Sequence, residues 1–380
     1  MIIAYDASTL FNFSGIDTYT RELINAIAES SPETNLKLIT TPGQIDKLKL
    51  KFGGYKNIES KVLFPEKVFF GKPGRSLLKR KKAAILAKHS NSVDLIHQTN
   101  PFNVLKKVTN LVTTVHDLIP IYNAEYVKKY LRQRYREKLD IILKNSRAII
   151  VPSEYVKNEL ITYNSSARDK TSVVHEAASD EFAPVSADQE FYSRYGLNKD
   201  DKFFLYAGRI DGRKNINGII DSYLDLPKNI QNEYKLILIA GGDHDYLRHF
   251  PRIAEMKALN RIKHFNGVKF EDLIKFFSSS YAFLMPSFSE GFGLPILEAF
   301  QCGTPVITSN TTSMPEIAGD AAILINPSDR SDLTKAMTNI AESNDLRNSL
   351  IEKGFIQAKK FSWEKAAKET LEVYNKVVNA

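Results

Sequence analysis

Cysteine is nearly missing from this chain: Cys302 is the one instance in 380 residues. An internal disulfide is thereby excluded, and the composition fits a reducing, cytoplasmic setting. Cys302 reads as a small packed residue rather than a nucleophile. Long apolar runs are also missing, and none approaches the roughly 20 residues that cross a bilayer as a helix. The first residues, MIIAYDAS, show no basic segment ahead of an apolar one, so they read as a buried strand and not as a secretory signal. No short-period repeat and no nucleic-acid-binding motif is present. Acidic excess is lacking as well: 52 Lys and Arg against 44 Asp and Glu leave a net charge of +8. Such a balance suits anionic partners, either an anionic membrane or a phosphate-bearing substrate once nucleic acid is set aside.

The basic residues gather in the first half. Lys79-Arg80-Lys81-Lys82 lies between Leu77-Leu78 and Ala83–Ala87, and Lys128, Lys129, Arg132, Arg134, Arg136 and Lys138 alternate with Tyr130, Leu131 and Tyr135. Basic amphipathic helices of this kind lie on anionic lipid; a merely solvated basic face is the alternative.

The length suits about two domains. Short apolar runs at Ile2–Tyr5, Leu36–Thr40, Asp94–His97, Leu111–Val115 and Ala148–Val151 read as buried strands, with helical patterns such as Tyr19–Glu29 and Tyr126–Lys144 between them. The rhythm restarts at Phe203–Ala207, Leu236–Ala240, Ile262–Phe265, Tyr281–Met285, Pro305–Thr308 and Ala321–Ile325. Alternation of this sort predicts α/β architecture with doubly wound parallel sheets, whose ligand sites lie off the carboxyl ends of the strands. Three features fall at such ends in the first half: Ser14-Gly15-Ile16, His97-Gln98-Thr99-Asn100 and His116-Asp117.

The most informative stretch is Ser287-Phe-Ser-Glu290-Gly291-Phe292-Gly293-Leu294-Pro-Ile-Leu-Glu298. It follows an apolar strand, and Pro295 stands where a helix begins, a position that suits its fixed φ and missing N–H. The glycines let backbone approach a ligand, and amides at a helix N-terminus attract phosphate. Glu290 precedes the turn and Glu298 lies about one helical turn inside it, so both can face one ligand. Diphosphate held by amides and flanked by carboxylates that accept sugar hydroxyls describes a nucleotide-sugar site. For the bare pair of glutamates, two solvated side chains would be the simpler reading.

Taken with Gly303-Thr-Pro-Val-Ile307 and Met314-Pro315-Glu316, the string resembles the retaining glycosyltransferases of the glycogen-synthase and sucrose-synthase clan, in particular family 4. The resemblance implies the GT-B fold, two Rossmann-like domains facing across a cleft that holds the active site. It places an acceptor domain at 1–178, a nucleotide-sugar donor domain at 179–361, and a terminal helix at 362–380 that crosses back to the first domain. An ordinary last helix of the second domain is the alternative.

Further residues take roles from that resemblance. Arg209 and Lys214, in Gly208-Arg209-Ile-Asp211-Gly-Arg213-Lys214, match the cations that hold the donor diphosphate and stabilise the leaving nucleoside diphosphate. Arg213, adjacent, is expected to be solvated. His116 matches the histidine that reaches the donor sugar near its 6-hydroxyl, with Asp117 orienting the loop. Glu290 is assigned to donor-sugar hydroxyls, Glu298 to the ribose, and Gly291, Phe292, Gly293 and Leu294 to the phosphates. Val268, in Asn266-Gly267-Val268-Lys269, belongs to the segment whose backbone meets the nucleobase. Gly15 matches a phosphate-contacting glycine, although Gly15-Ile16-Asp17-Thr18-Tyr19 departs from the family loop at its second glycine and its arginine. Ser153-Glu154 matches a recurring family position and equally suits a helix cap.

No cofactor or metal is expected. Asp243-His244-Asp245 resembles an Asp-x-Asp metal site, but Arg209, Lys214 and the helix amides already supply the charge such an ion would bring. The runs VHDLIPIYNAEY and SRAIIVPSEYVKNEL look most like bacterial mannosyltransferases of surface-polysaccharide assembly. That implies a hexose moved from a nucleoside-diphosphate sugar to a lipid-linked or polysaccharide acceptor, at the inner face of the cytoplasmic membrane. GDP-mannose is the first choice of donor, with rhamnose, glucose or N-acetylhexosamine as alternatives. Two rivals differ in class. A silent sugar-nucleotide-binding subunit would be expected to have lost one of Glu290, Glu298, Arg209, Lys214 or His116. A phosphorylase or epimerase would need a pyridoxal lysine signature or a placed base, and neither is evident.

Overall fold

The structure is a computed structural model and describes residues 1–7, 10, 15–62, 92–101, 108–241 and 260–380. The basic run 79–82 and the triplet 243–245 lie outside the described residues. The chain forms two compact units, Met1–Glu176 together with Ser362–Ala380, and Ala177–Phe361.

In the first unit β1 (Ile2–Asp6), β2 (Asn35–Thr40), β3 (Ile58–Val62), β4 (Leu95–Gln98), β5 (Leu111–Thr114), β6 (Ala148–Val151) and β7 (Thr171–Val173) form a parallel sheet in the order β3-β2-β1-β4-β5-β6-β7. Strands buried on both faces read as continuous apolar runs, and β4, β5 and β6 are buried throughout. The edge strands β3 and β7 do not: Ile58-Glu-Ser-Lys-Val62 is largely exposed, and its polar letters hide it from an apolar-run reading.

Helix Gly15–Ser30 covers one face of this sheet with Leu23, Ile24 and Ile27. Beside it lies the C-terminal helix Trp363–Val378, whose Ala366, Ala367, Val373, Tyr374 and Val377 join the same core as Ile3 and Tyr5. Ser362 caps that helix by accepting from the Lys365 amide at 3.1 Å. On the opposite face, helix Lys129–Asn145 contributes Tyr135, Leu139, Ile142 and Leu143, and helix Glu154–Tyr163 contributes Val156 and Leu160.

The second unit repeats the plan with β8 (Lys202–Arg209), β9 (Tyr234–Gly241), β10 (Ile262–Phe265), β11 (Ala282–Met285), β12 (Val306–Ser309) and β13 (Ala322–Ile325), all parallel, in the order β10-β9-β8-β11-β12-β13. Separate apolar cores fill its two faces. Both sheets are thus Rossmann-like. Connections run outward in opposite directions from β8 and β11, and from β1 and β4, so each pair marks a topological switch point. Ligands of open α/β sheets bind off the carboxyl ends there.

Candidate active site

The loops leaving β8 and β11 carry the cations and carboxylates of the second unit. At the end of β8 the Tyr206 hydroxyl donates to the Arg209 carbonyl at 2.7 Å, fixing the backbone while the Arg209 side chain stays exposed. A short 3-10 turn, Gly212–Lys214, follows; Asn215, at φ +56°, then caps helix Ile216–Leu224 by accepting from the Gly218 amide. The turn presents two cations to Glu290. Lys214 Nζ lies 2.5 Å from Oε1, and Arg213 Nη1 lies 2.6 Å from Oε2. Arg213 also donates to the Ser289 carbonyl at 2.6 Å, and the Phe288 amide donates to the Arg213 carbonyl at 2.8 Å. The two loops are therefore stitched together at main chain and side chain alike.

Glu290 is only 8% exposed. Burial pushes its carboxyl up, but the Lys214 and Arg213 charges and their hydrogen bonds prevail and hold it below the usual carboxylate range. Its backbone is fixed too. The Glu290 amide donates to Thr312 Oγ1 at 3.2 Å, and Ser313 Oγ lies 3.0 and 2.8 Å from the carbonyls of Glu290 and Phe292. Thr312 takes the left-handed region at φ +56° to make this contact.

Beyond Glu290 the chain turns through Gly293 at φ +116°, a backbone that L side chains rarely adopt; a Cβ there would also sit 3.2 Å from Ile296 Cδ1. Helix Leu294–Gln301 starts next, with Pro295 in its first turn. Glu298 is partly buried within it, and desolvation raises its carboxyl to about 7 against the opposing charge of Lys214.

One expectation is corrected here. Arg213 is not solvated: its side chain is 18% exposed and engages Glu290. The planar guanidinium reaches a carboxylate and a carbonyl at once, which the compact ammonium of Lys214 does not. Arg209, by contrast, forms no ion pair among the described residues. Val268 follows Gly267 (φ +67°) in the connection from β10 and is partly buried against an apolar core of the second unit.

In the first unit His116 follows β5. Its Nε2 lies 2.9 Å from the Thr99 carbonyl, its Nδ1 lies 3.4 Å from Glu176 Oε1, and Tyr19 packs edge-on at 4.9 Å. With an acceptor at each nitrogen the protonated ring is favoured. Burial pushes the pKa down, but Glu176, the Thr99 carbonyl and Asp117 outweigh it and leave it raised. Asp117 accepts from the Ile119 amide at 3.1 Å, consistent with its loop-orienting role. Gly15 is the exposed first residue of its helix, and a Cβ there would meet nothing within 4 Å. His97 is fully buried between the Tyr374 hydroxyl (2.6 Å) and Thr114 Oγ1 (2.8 Å), and burial lowers its pKa to about 3. It supports the core rather than a ligand. Ser153 acts as a helix cap, accepting from the Val156 amide at 3.2 Å.

Sequence reasoning named Thr99 and Tyr19 without pairing them with His116, and it missed Glu176 there and Thr312 and Ser313 around Glu290. The convergence on His116 carries no local signal, since separate loops and a helix bring these residues together. The hydroxyl run Thr311-Thr312-Ser313, wedged between a strand and a proline-started helix, was a usable sign of backbone bracing.

The chain matches the family described as Glycosyl transferases group 1 over residues 188–357, and that described as Glycosyltransferase Family 4 over residues 13–181. It is 29% identical over 374 residues to the O-antigen chain mannosyltransferase B of Escherichia coli, covering 96% of each chain. It is 32% identical over 280 residues to the serotype-specific mannosyltransferase WbdA of Escherichia coli, which is 71% of this chain and 34% of that protein. Among solved structures, sucrose-phosphate synthase from Thermosynechococcus elongatus aligns with a TM-score of 0.76 at 20% identity, over 99% of this chain and 98% of that one. Anabaena Alr3699/HepE in complex with UDP and glucose aligns with a TM-score of 0.76 at 16% identity, over 99% and 100%. At these identities the structural likeness shows the fold.

Proposed function

The chain belongs to the group 1 and family 4 glycosyltransferases, and from that premise we propose that it moves mannose, with retention of configuration, from GDP-mannose to a lipid-linked or polysaccharide acceptor of a bacterial surface glycan. The names of its E. coli relatives support the sugar and the pathway class. The observation that carries the site is Glu290, buried between Lys214 and Arg213 at the β8/β11 switch point and one turn before a helix N-terminus.

On this reading Arg209 and Lys214 take the donor diphosphate, with the amides of Gly291, Phe292, Gly293 and Leu294. The bond between the anomeric carbon and the phosphate oxygen breaks, and its electron pair goes to the leaving diphosphate. The acceptor hydroxyl oxygen forms the new bond on the same face, and its proton passes to the leaving phosphate. Charge that grows on that phosphate is what the cations stabilise, the largest electrostatic demand of the step. Glu290 accepts donor-sugar hydroxyls, Glu298 the ribose hydroxyls, and the backbone at Val268 meets the base. The resemblance assigns Gly15 and His116 of the first unit to the donor as well; for His116 this requires the sugar to replace the 3.4 Å contact of Nδ1 with Glu176. No metal is required, since the cationic side chains already supply the neutralising charge.

The protein works on the inner face of the cytoplasmic membrane. Supporting this, Tyr130 and Leu131 are exposed beside the cations of helix Lys129–Asn145. No helix among the described residues is long and apolar enough to cross a membrane.

A thermal-shift panel of GDP, UDP and dTDP and their sugars, run with excess EDTA, tests the donor. A ligand at a hundred times its dissociation constant adds about 2.7 kcal/mol. Stabilisation by GDP and GDP-mannose, with NMR showing a product of retained anomeric configuration in EDTA, is the expected result. Stabilisation by UDP-sugars alone overturns the donor, an inverted product the stereochemistry, and activity restored only by Mn²⁺ the metal independence.

A further inference from the structure

Helix Lys129–Asn145 holds a feature that diffuse attraction to a membrane does not account for. Lys129, Arg132, Gln133 and Arg136 occupy positions i, i+3, i+4 and i+7, which share one helix face. With Tyr130 they line a surface cavity of about 630 Å³. Three cations therefore border one concavity.

Among the described residues none of the three forms an ion pair, although acids lie close by on the same helix. Glu137 accepts from Gln133 Nε2 at 3.2 Å, and Asp140 accepts from the Tyr163 hydroxyl at 2.8 Å. Arg132 Nη2 donates to the Ile121 carbonyl at 3.1 Å, and among the described residues the Nε atoms of both Arg132 and Arg136 are buried without a hydrogen-bond partner. An arginine without an acidic partner keeps guanidinium N–H donors whose usual complement is an oxyanion. Arginine suits such an anion best when it is planar or tetrahedral with several oxygens.

We propose that this cavity is a second anion site, separate from the donor cluster around Glu290, and that it takes a phosphate or diphosphate group carried by a lipid. The aliphatic stems of Lys129, Arg132 and Arg136 and the ring of Tyr130, which is 65% exposed, give the attached chain an apolar wall beside the charges. The cavity is anchored to the segment that bears His116. The Tyr135 hydroxyl donates to the Asp117 carbonyl at 2.6 Å, and Arg132 holds the Ile121 carbonyl. An anion bound here is therefore held in a fixed relation to that loop. The inference rests on the reading of a lipid-linked acceptor used at a membrane face, and it names the group by which that acceptor, or the lipid head group around it, is gripped.

The test is calorimetric titration with inorganic pyrophosphate at constant ionic strength, comparing wild type, Lys214→Ala and Lys129→Gln/Arg136→Gln. Two sites are expected in the wild type. Lys214→Ala should lose only the donor-cluster site, and Lys129→Gln/Arg136→Gln should weaken only the other, by about tenfold or more for two charge-assisted contacts. Lys129→Arg/Arg136→Lys, which keeps the charge, should retain most of the binding. Displacement by a short-chain prenyl diphosphate assigns the cavity to the acceptor. Displacement by phosphatidylglycerol vesicles, without effect of the prenyl diphosphate, assigns it to a lipid head group. Pyrophosphate binding confined to the Lys214-dependent site, with vesicle binding that simply fades with salt, overturns the second site. Failure of every nucleotide to bind would instead strike the glycosyltransferase reading, so the two failures are distinct.

Discussion

Lowering the pH from 8 to 6 should weaken GDP binding by roughly tenfold through Glu298 alone, and Glu298→Gln should remove that part of the dependence. The reasoning starts from burial. In the free protein desolvation raises the Glu298 carboxyl to about 7, with Lys214 opposing. To accept two ribose hydroxyls the group must be ionised, because a protonated carboxyl spends one oxygen as a donor. Binding below pH 7 therefore expels a proton, and the apparent dissociation constant grows as 1 + 10^(7 − pH): roughly twofold at pH 7 and roughly elevenfold at pH 6. Stability follows the matching sign. Between the ordinary carboxylate pKa and about 7 the folded chain binds more protons than the unfolded one, so this residue's contribution falls as pH rises through that window and levels off above it. Calorimetry in two buffers of different ionisation enthalpy counts the released protons directly. The terminal phosphate of GDP titrates nearby, which makes the difference between wild type and Glu298→Gln the decisive quantity. Parallel curves for the two proteins, with equal proton counts, would refute the ribose assignment.

Two further substitutions probe the loops leaving β8 and β11. Arg213→Met removes one of the two cations on Glu290 and the bond to the Ser289 carbonyl, so it should cost about 1–3 kcal/mol in urea unfolding and move the acid limb of the activity profile to higher pH; an unchanged profile would mean that Lys214 alone sets the Glu290 charge. Gly293→Ala forces a Cβ onto a backbone at φ +116°, at a cost of about 1–3 kcal/mol, and should lower the melting temperature by several degrees while weakening nucleotide binding; a wild-type melting curve would show that the loop relaxes without penalty.

Much of the fold was legible because parallel sheets bury both faces of their strands. Runs such as Ala148–Val151 and Ala282–Met285 are apolar at every position, and the structure makes each a central strand. The strands that escaped are those at the edge of the first sheet. Ile58–Val62 pairs on one side only, and Glu59, Lys61 and Val62 are exposed, so no apolar run marks it; Thr171–Val173 is too short to leave a pattern. The proline-started helix after Gly293 was legible for a local reason as well: its signal is a backbone requirement, carried by the residues that meet it.

Side-chain partnership is a different kind of information. Glu290 and Glu298 are the same letter eight positions apart, yet the structure drives their ionisation in opposite directions. Burial acts on both, and the charge of Lys214 favours ionisation of both. What separates them is Arg213, which adds a second cation to Glu290, together with the direct hydrogen bond that Lys214 gives Glu290; on Glu298 Lys214 acts through its charge alone. The sequence places Arg213 beside Lys214 but says nothing of which way its side chain turns, and an exposed arginine is the ordinary outcome for a loop. Folding brings the two loops together, with the Phe288 amide on the Arg213 carbonyl, and the guanidinium then meets the Ser289 carbonyl and the Glu290 carboxylate. A pair of carboxylates pushed apart in this way can keep one ionised near neutral pH and leave the other ready to exchange a proton when a ligand arrives. Under the proposed function Glu290 is the fixed charge against which the cations are ordered before the donor binds, and Glu298 is the group whose state the nucleotide changes.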